Sequence, residues 1–182
     1  ESHRKVDDQF GVPDLSNRSG TSPARECQPC TACCDGWVQM NIQGHPVYPG
    51  HPCPHSISGK GCDDYANRPR DPCNNFRCGW VVPQSPLPEW MKPDKARVIV
   101  ILNKTRWNGL PVDVAVPVGR RIPGRALNWL KEFSRRNGRP LLFSEQLREN
   151  GAYIREQMFM AHGPGEFQQH IARLIGDEKP LW

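Results

Sequence analysis

Eight cysteines, all that the chain contains, fall between Cys27 and Cys78: Cys27, Cys30, Cys33, Cys34, Cys53, Cys62, Cys73 and Cys78. A thiolate is both a nucleophile and a soft metal ligand. Sulfur confined to one stretch of a 182-residue chain serves a local purpose rather than general packing. Cysteines at i, i+3 and i+6 let one loop wrap a single centre, which is why bacterial ferredoxin-type clusters open on Cx2Cx2C. Cys27, Cys30 and Cys33 meet that spacing. The fourth ferredoxin cysteine follows the third by four positions, whereas Cys34 follows Cys33 at once. The chain is therefore not a ferredoxin, and the fourth ligand comes from elsewhere.

Adjacent side chains point to opposite faces of an extended segment and about 100° apart on a helix. Cys33 and Cys34 are thus expected to divide between two centres, or between a centre and a free thiol. Eight sulfurs suffice for two four-thiolate sites of Zn2+ or of [4Fe–4S] type, and one site with spare thiols also fits. Disulfide stapling is least favoured, because overlapping CxxC pairs are spaced as ligands and no export signal is visible. The bland alternative is a loop region stapled by structural zinc and without chemistry. His45, His51 and His55 share the region, but with eight thiolates available they are expected to be ordinary loop histidines. Asp63 and Asp64 read as an acidic turn. Arg68 and Arg70 precede Cys73, where guanidinium groups can tune a thiolate cluster.

The run Cys27-x2-Cys30-x2-Cys33-Cys34, then Cys53-Pro54, then Gly61-Cys62-x2-Tyr65-x2-Arg68-Pro69-x3-Cys73-x2-Phe76-x-Cys78 resembles the zinc- or iron-chelating CxxCxxCC cysteine-cluster family. The resemblance covers residues 27 to 80 and implies metal or cluster binding through these eight cysteines. A related motif occurs in bacterial flagellin lysine N-methylases, regarded as iron–sulfur proteins, which raises the iron–sulfur expectation over the zinc one. Their activity does not carry over, because this chain is much shorter and has no Cx3Cx2C triplet.

The elements that must position the sulfurs read as follows. Residues 1 to 26 are polar and aperiodic, an arm expected to be extended or disordered unless held. Residues 27 to 80 are dense in Gly, Pro, Asn and Asp, so this module needs cross-links or metal to fold. Residues 81 to 92 form a Pro-rich connector that packs through Trp90. Residues 93 to 182 read as a small α+β region. Residues 97–102 and 112–118 are predicted strands joined across Asn108-Gly109, and residues 125–137 a helix closed by Gly138. Residues 141–143 are a short predicted strand. Ser144 is expected to cap a helix using Leu147, Gly151, Ile154 and Met158, and a last helix carries Phe167, Ile171 and Leu174. The expected fold is α+β, a loop-rich metal-organised cysteine module packed on a small antiparallel sheet with two or three helices.

Composition bounds the rest. No apolar run spans a membrane and no charged-then-apolar leader is seen, so the expectation is a soluble, cytoplasmic, bacterial-type protein. Residues 1–90 carry eight Lys/Arg against ten Asp/Glu, a balance of −2, and residues 91–182 carry sixteen against nine, a balance of +7. The basic half, with Arg120, Arg121, Arg125, Arg135, Arg136 and Arg139 around one helix, reads first as a solvated basic face, then as a dock for an acidic protein partner, and last as a nucleic-acid site. His162 and His170 lack partners at a defined spacing and read as surface or packing residues. No P-loop, GxGxxG, HExxH or GxSxG is present, and enzymatic activity is left open. The leading expectation is an iron–sulfur protein with a redox or accessory role; the alternative is a zinc-stabilised interaction module.

Overall fold

The computed structural model describes residues 12–15 and 23–182. The framework is a four-stranded sheet whose strands, Val98–Trp107, Leu110–Pro117, Leu141–Glu149 and Ala152–His162, lie side by side in chain order. Val98–Trp107 (β5) and Leu110–Pro117 (β6) pair antiparallel. Asn108 and Gly109, at φ of 47° and 78°, turn one strand into the other, the positive-φ pair that a two-residue hairpin requires. A bulge interrupts the register between Ile101 and Thr105. There the buried Asp113 carboxylate accepts the Asn103 N–H at 2.8 Å.

Leu141–Glu149 (β7) runs parallel to β6, so the sheet is mixed rather than wholly antiparallel. The reason is the Gly124–Asn137 helix (α2), which lies between the two strands in sequence and carries the chain back to the start of the sheet. α2 ends as its sequence demands: Gly138 adopts the left-handed conformation and its N–H bonds the Ser134 carbonyl.

The helix expected after Ser144 is not formed. Ala152–His162 (β8) instead pairs antiparallel with β7, and Asn150-Gly151, both at positive φ, make the turn. Leu142, Ser144 and Gln146 alternate onto one buried face, a period of two that outweighs the sparse helical spacing. Ser144 donates to Gln157 Oε1 at 2.7 Å rather than capping a helix.

Alternation gives the sheet two apolar faces. Val98, Val100, Ala115 and Leu141 pack on Ala126, Trp129, Leu130 and Phe133 of α2. Ile99, Val112, Val114, Val116 and Leu142 pack on Phe167 and Ile171 of Gly165–Gly176 (α3). The cysteine region covers the rest of that second face through Ala32, Cys30, Cys33, Phe76 and Cys78. The protein is thus α+β, with a loop-rich module laid on the sheet beside α3.

Most of the expected N-terminal arm lies outside the described residues. The described part is held: Val12 is 1% exposed in the α2 core, and its carbonyl accepts from Arg136 at 3.1 Å. The Pro-rich connector also packs, chiefly through buried Leu87 and Met91. Trp90 lies beneath the Arg125 guanidinium, 4.0 Å from the ring centroid. A short turn of helix, Pro93–Ala96 (α1), leads into β5. No helix among the described residues is long and apolar enough to cross a membrane.

Candidate metal centre

Short local structures set out the sulfurs. Cys27 and Cys30 sit in one turn, closed by the Cys30 N–H on the Cys27 carbonyl at 3.1 Å. Cys33 and Cys34 begin a single helical turn, Cys33–Trp37. Asp35 in that turn accepts from Thr31 at 2.8 Å and Ser56 at 2.7 Å. Met40–Ile42 (β1) and His45–Val47 (β2) form a hairpin whose Ile42 and Val47 make a small apolar centre.

Cys53 is tied to the first loop because its N–H bonds the Cys34 carbonyl at 2.8 Å. A second hairpin, Ser56–Ile57 (β3) with Gly61–Cys62 (β4), sets Cys62 opposite Ser56, and Ser56 N–H bonds the Cys53 carbonyl at 3.0 Å. Cys73 lies in the turn Arg70–Asn74. Cys78 is fixed to the sheet through its neighbour, since Gly79 N–H bonds the Val100 carbonyl at 2.6 Å. A β-carbon on Gly79 would stand 2.8 Å from that oxygen, so the approach requires glycine.

These loops enclose a cavity of about 270 Å³ lined by every cysteine except Cys30. A second cavity of about 20 Å³ is lined by Cys27, Cys30, Cys33 and Cys78, with Ile99, Trp80 and Lys92. All eight thiols are free of disulfides. The sulfurs line walls rather than converge: among the described residues no three Cys, His, Asp or Glu side chains are gathered closely enough to hold a metal ion.

Burial is the main influence on these thiols, because it disfavours the thiolate. It pushes Cys27 and Cys78 up to about 11 and raises Cys30, Cys53 and Cys73. Cys33 and Cys34 behave as a pair, their Sγ atoms 3.8 Å apart. The hydrogen bond between them raises Cys33 and lowers Cys34, so Cys34 is the first of the pair to give up its proton. Arg68 opposes burial at Cys27, Cys34 and Cys73. It lines the large cavity, with its guanidinium 3.4 Å from the Tyr65 ring centroid.

Of the three loop histidines, His45 and His51 stack on each other at 4.4 Å and bond the carbonyls of Pro52 and Pro46. Only His55 lines the large cavity, and its Nδ1 is taken by Asp63 at 2.7 Å. Lys92 was not legible as part of the site. It reaches the first cysteine turn from 64 positions away, donating to the Gln28 carbonyl at 3.1 Å. No local pattern announces so distant a contact.

The basic residues of the second half are mostly engaged. Arg135 and Arg136 bond Glu132, Arg121 pairs with Glu145 at 3.1 Å, and Arg139 grips the buried Asp113 at 2.7 and 2.8 Å. Comparison with known proteins finds no matching family model, no matching curated protein and no matching solved structure.

Proposed function

We propose that this chain is a metal-binding protein whose cysteine module holds an iron–sulfur cluster and serves a redox or accessory role. The observation that carries the reading is the 270 Å³ cavity walled by seven of the eight cysteines, with a cation beside it. Sulfur is the soft ligand that iron–sulfur clusters take, and the resemblance of residues 27 to 80 to the CxxCxxCC family points the same way.

Size favours a cluster over a lone ion in that cavity. A tetrahedral four-thiolate zinc site has Zn–S bonds of about 2.3 Å, which brings its sulfurs to about 3.8 Å from one another. Thiols spread around 270 Å³ match a larger occupant. Four of the seven cysteines on its wall would hold it, and the cluster when bound supplies reversible one-electron chemistry. The chain's own part is to keep the thiolates together, exclude bulk water on the apolar side, and offset their charge with Arg68.

The alternative, a zinc-only module docking an acidic partner through the basic half, is less well supported because most of those arginines already have partners. Anaerobic purification with iron, sulfide and zinc analysis separates the two. The expected result is a coloured protein with stoichiometric iron and sulfide and the broad visible absorbance of thiolate-bound iron. A colourless protein that takes up no iron and sulfide on anaerobic reconstitution overturns the proposal.

A further inference from the structure

We infer that the protein has a binding site apart from its cysteines, a hollow on the second face of the sheet that takes a small organic anion with a flat aromatic body, of the aryl carboxylate class. The hollow measures about 360 Å³, within the range of about 300–1,000 Å³ that small-molecule sites occupy. Among the described residues no cysteine lines it, so it stands whatever the module binds. Its floor is Ile101, Val114 and Val116 of the sheet, and its sides come from two separate coverings of that face. Trp37 closes the turn that carries Cys33 and Cys34, and Trp182 lies in the chain beyond α3. Where the module ends and the segment after α3 arrives, the face is left uncovered.

Three nitrogen donors line the hollow, and no Asp or Glu among the described residues does. Lys104 lies in the β5 bulge, with its Nζ 5.5 Å from the Trp182 ring centroid. It forms no ion pair among the described residues. Arg155 is equally without an acid: its guanidinium lies 4.8 Å from the Tyr48 ring centroid, and its Nε faces Gln39 Oε1 at 3.4 Å. The third donor is oriented from below. Ser144 donates to Gln157 Oε1 at 2.7 Å, which leaves the Gln157 amide nitrogen without a partner among the described residues. Two positive charges and a free amide N–H around an acid-free hollow attract an anion.

The rest of the wall decides what kind of anion. Phe159 and Trp182 meet edge to face, with centroids 5.5 Å apart and planes at 80°. Trp37 is held in the same way by Tyr153, at 5.0 Å and 87°. Trp182 is nonetheless 50% exposed, a large apolar surface beside a lysine. A flat ring laid against it removes that surface from water, while a carboxylate on the ring reaches Lys104. An inorganic anion would leave the aromatic wall wet, and a neutral ring would leave the three donors unused. The two halves of the site are joined before anything binds, because Gln39 of the module donates through its Nε2 to the Arg155 carbonyl of β8. A preformed site loses less ordering entropy on binding.

The test is calorimetric titration of the full chain with 2-naphthoate and with its neutral analogue 2-naphthamide. The wild type is expected to bind one naphthoate saturably and the amide at least about fivefold more weakly. Lys104 and Trp182 are both exposed, so their replacement should leave the fold intact. Lys104→Ala should weaken naphthoate about tenfold, the loss of one charge-assisted hydrogen bond, and leave the amide unchanged. Lys104→Arg should restore most of the affinity, and Trp182→Ala should weaken both probes. If Trp182→Ala fails to fold, the Lys104 variants decide alone. The inference is overturned by a wild type that binds no naphthoate, by equal affinity for the two probes, or by a Lys104→Ala protein that binds as the wild type does. Self-association that Trp182→Ala abolishes, without naphthoate binding, would make this face a contact between copies and overturn it too.

Discussion

Gly36 lies so close to Tyr48 that a β-carbon on it would stand 2.1 Å from the Tyr48 carbonyl carbon and 2.2 Å from its oxygen. Its φ of 101° is also one that only glycine adopts freely. The turn that carries Cys33 and Cys34 is therefore seated on the loop after the first hairpin at a position where no side chain fits. Gly36→Ala should destabilise the module by at least ~3 kcal/mol, from backbone strain plus overlap with backbone atoms that cannot move aside. Limited proteolysis checks it: cleavage within residues 27–80 should precede cleavage of the sheet, and unchanged protection would count against this account.

Asp113 and Arg139 form the one ion pair among those described whose two side chains are both nearly buried, 3% and 16% exposed. Arg139→Ala strands a carboxylate that also holds the β5 bulge, and removing one partner of a buried pair costs about 3–5 kcal/mol. Urea denaturation should show that loss. A change below about 1 kcal/mol would mean water replaces the guanidinium at no cost.

Arg68 lines the large cavity and lowers three of its thiols, Cys27, Cys34 and Cys73. Reduction adds negative charge, so a nearby cation favours it. Arg68→Gln is expected to lower the midpoint potential by on the order of 20–60 mV, the Coulomb effect of one half-exposed charge. Arg68→Lys should restore most of it. A potential that does not move, or rises, would sink the assignment.

Cys27 and Cys78 make the metal-free protein sensitive to alkali. Their folded-state pKa values of about 11 lie above the ordinary 9.0. The unfolded chain thus ionises first as pH rises. The stability linked to these thiols is full below about pH 9 and is lost between 9 and 11. Thermal melts of apo protein under reductant should fall over that window more steeply for wild type than for Cys27→Ser/Cys78→Ser. Metal uptake runs the other way: each liganding thiol must release its proton, so apparent affinity should climb as pH rises toward 9. An affinity independent of pH would falsify thiolate ligation.

Much of the scaffold was legible from local pattern. Asn108-Gly109 between two Val-rich runs specifies a hairpin wherever those residues occur, and the stripe of Ala126, Leu130 and Phe133 ending at Gly138 specifies α2. The same reasoning failed at Ser144. A capping residue before spaced apolar positions is weak evidence, while Asn150-Gly151 and the alternation of Leu142, Ser144 and Gln146 match the strand edge that β6 offers. β7 in turn offers its free edge to β8 only once α2 has brought it alongside β6.

The cysteines divide along the same line. Their type and clustering by themselves determine that the module is rich in sulfur, but the divergence expected of the adjacent Cys33 and Cys34 is not what folding produces: their Sγ atoms meet at 3.8 Å. Which apolar surface each sulfur rests on was decided by tertiary structure alone. Cys78 lies with Cys30 and Cys33 against the sheet because Gly79 anchors it to β5. Cys34 goes with Cys53 and Cys73 because all three rest on the β1–β2 hairpin. Lys92 and Val12 reach their places across long gaps in sequence. Spacing fixes what a single loop can reach, whereas contacts between distant loops depend on the surfaces that packing makes available.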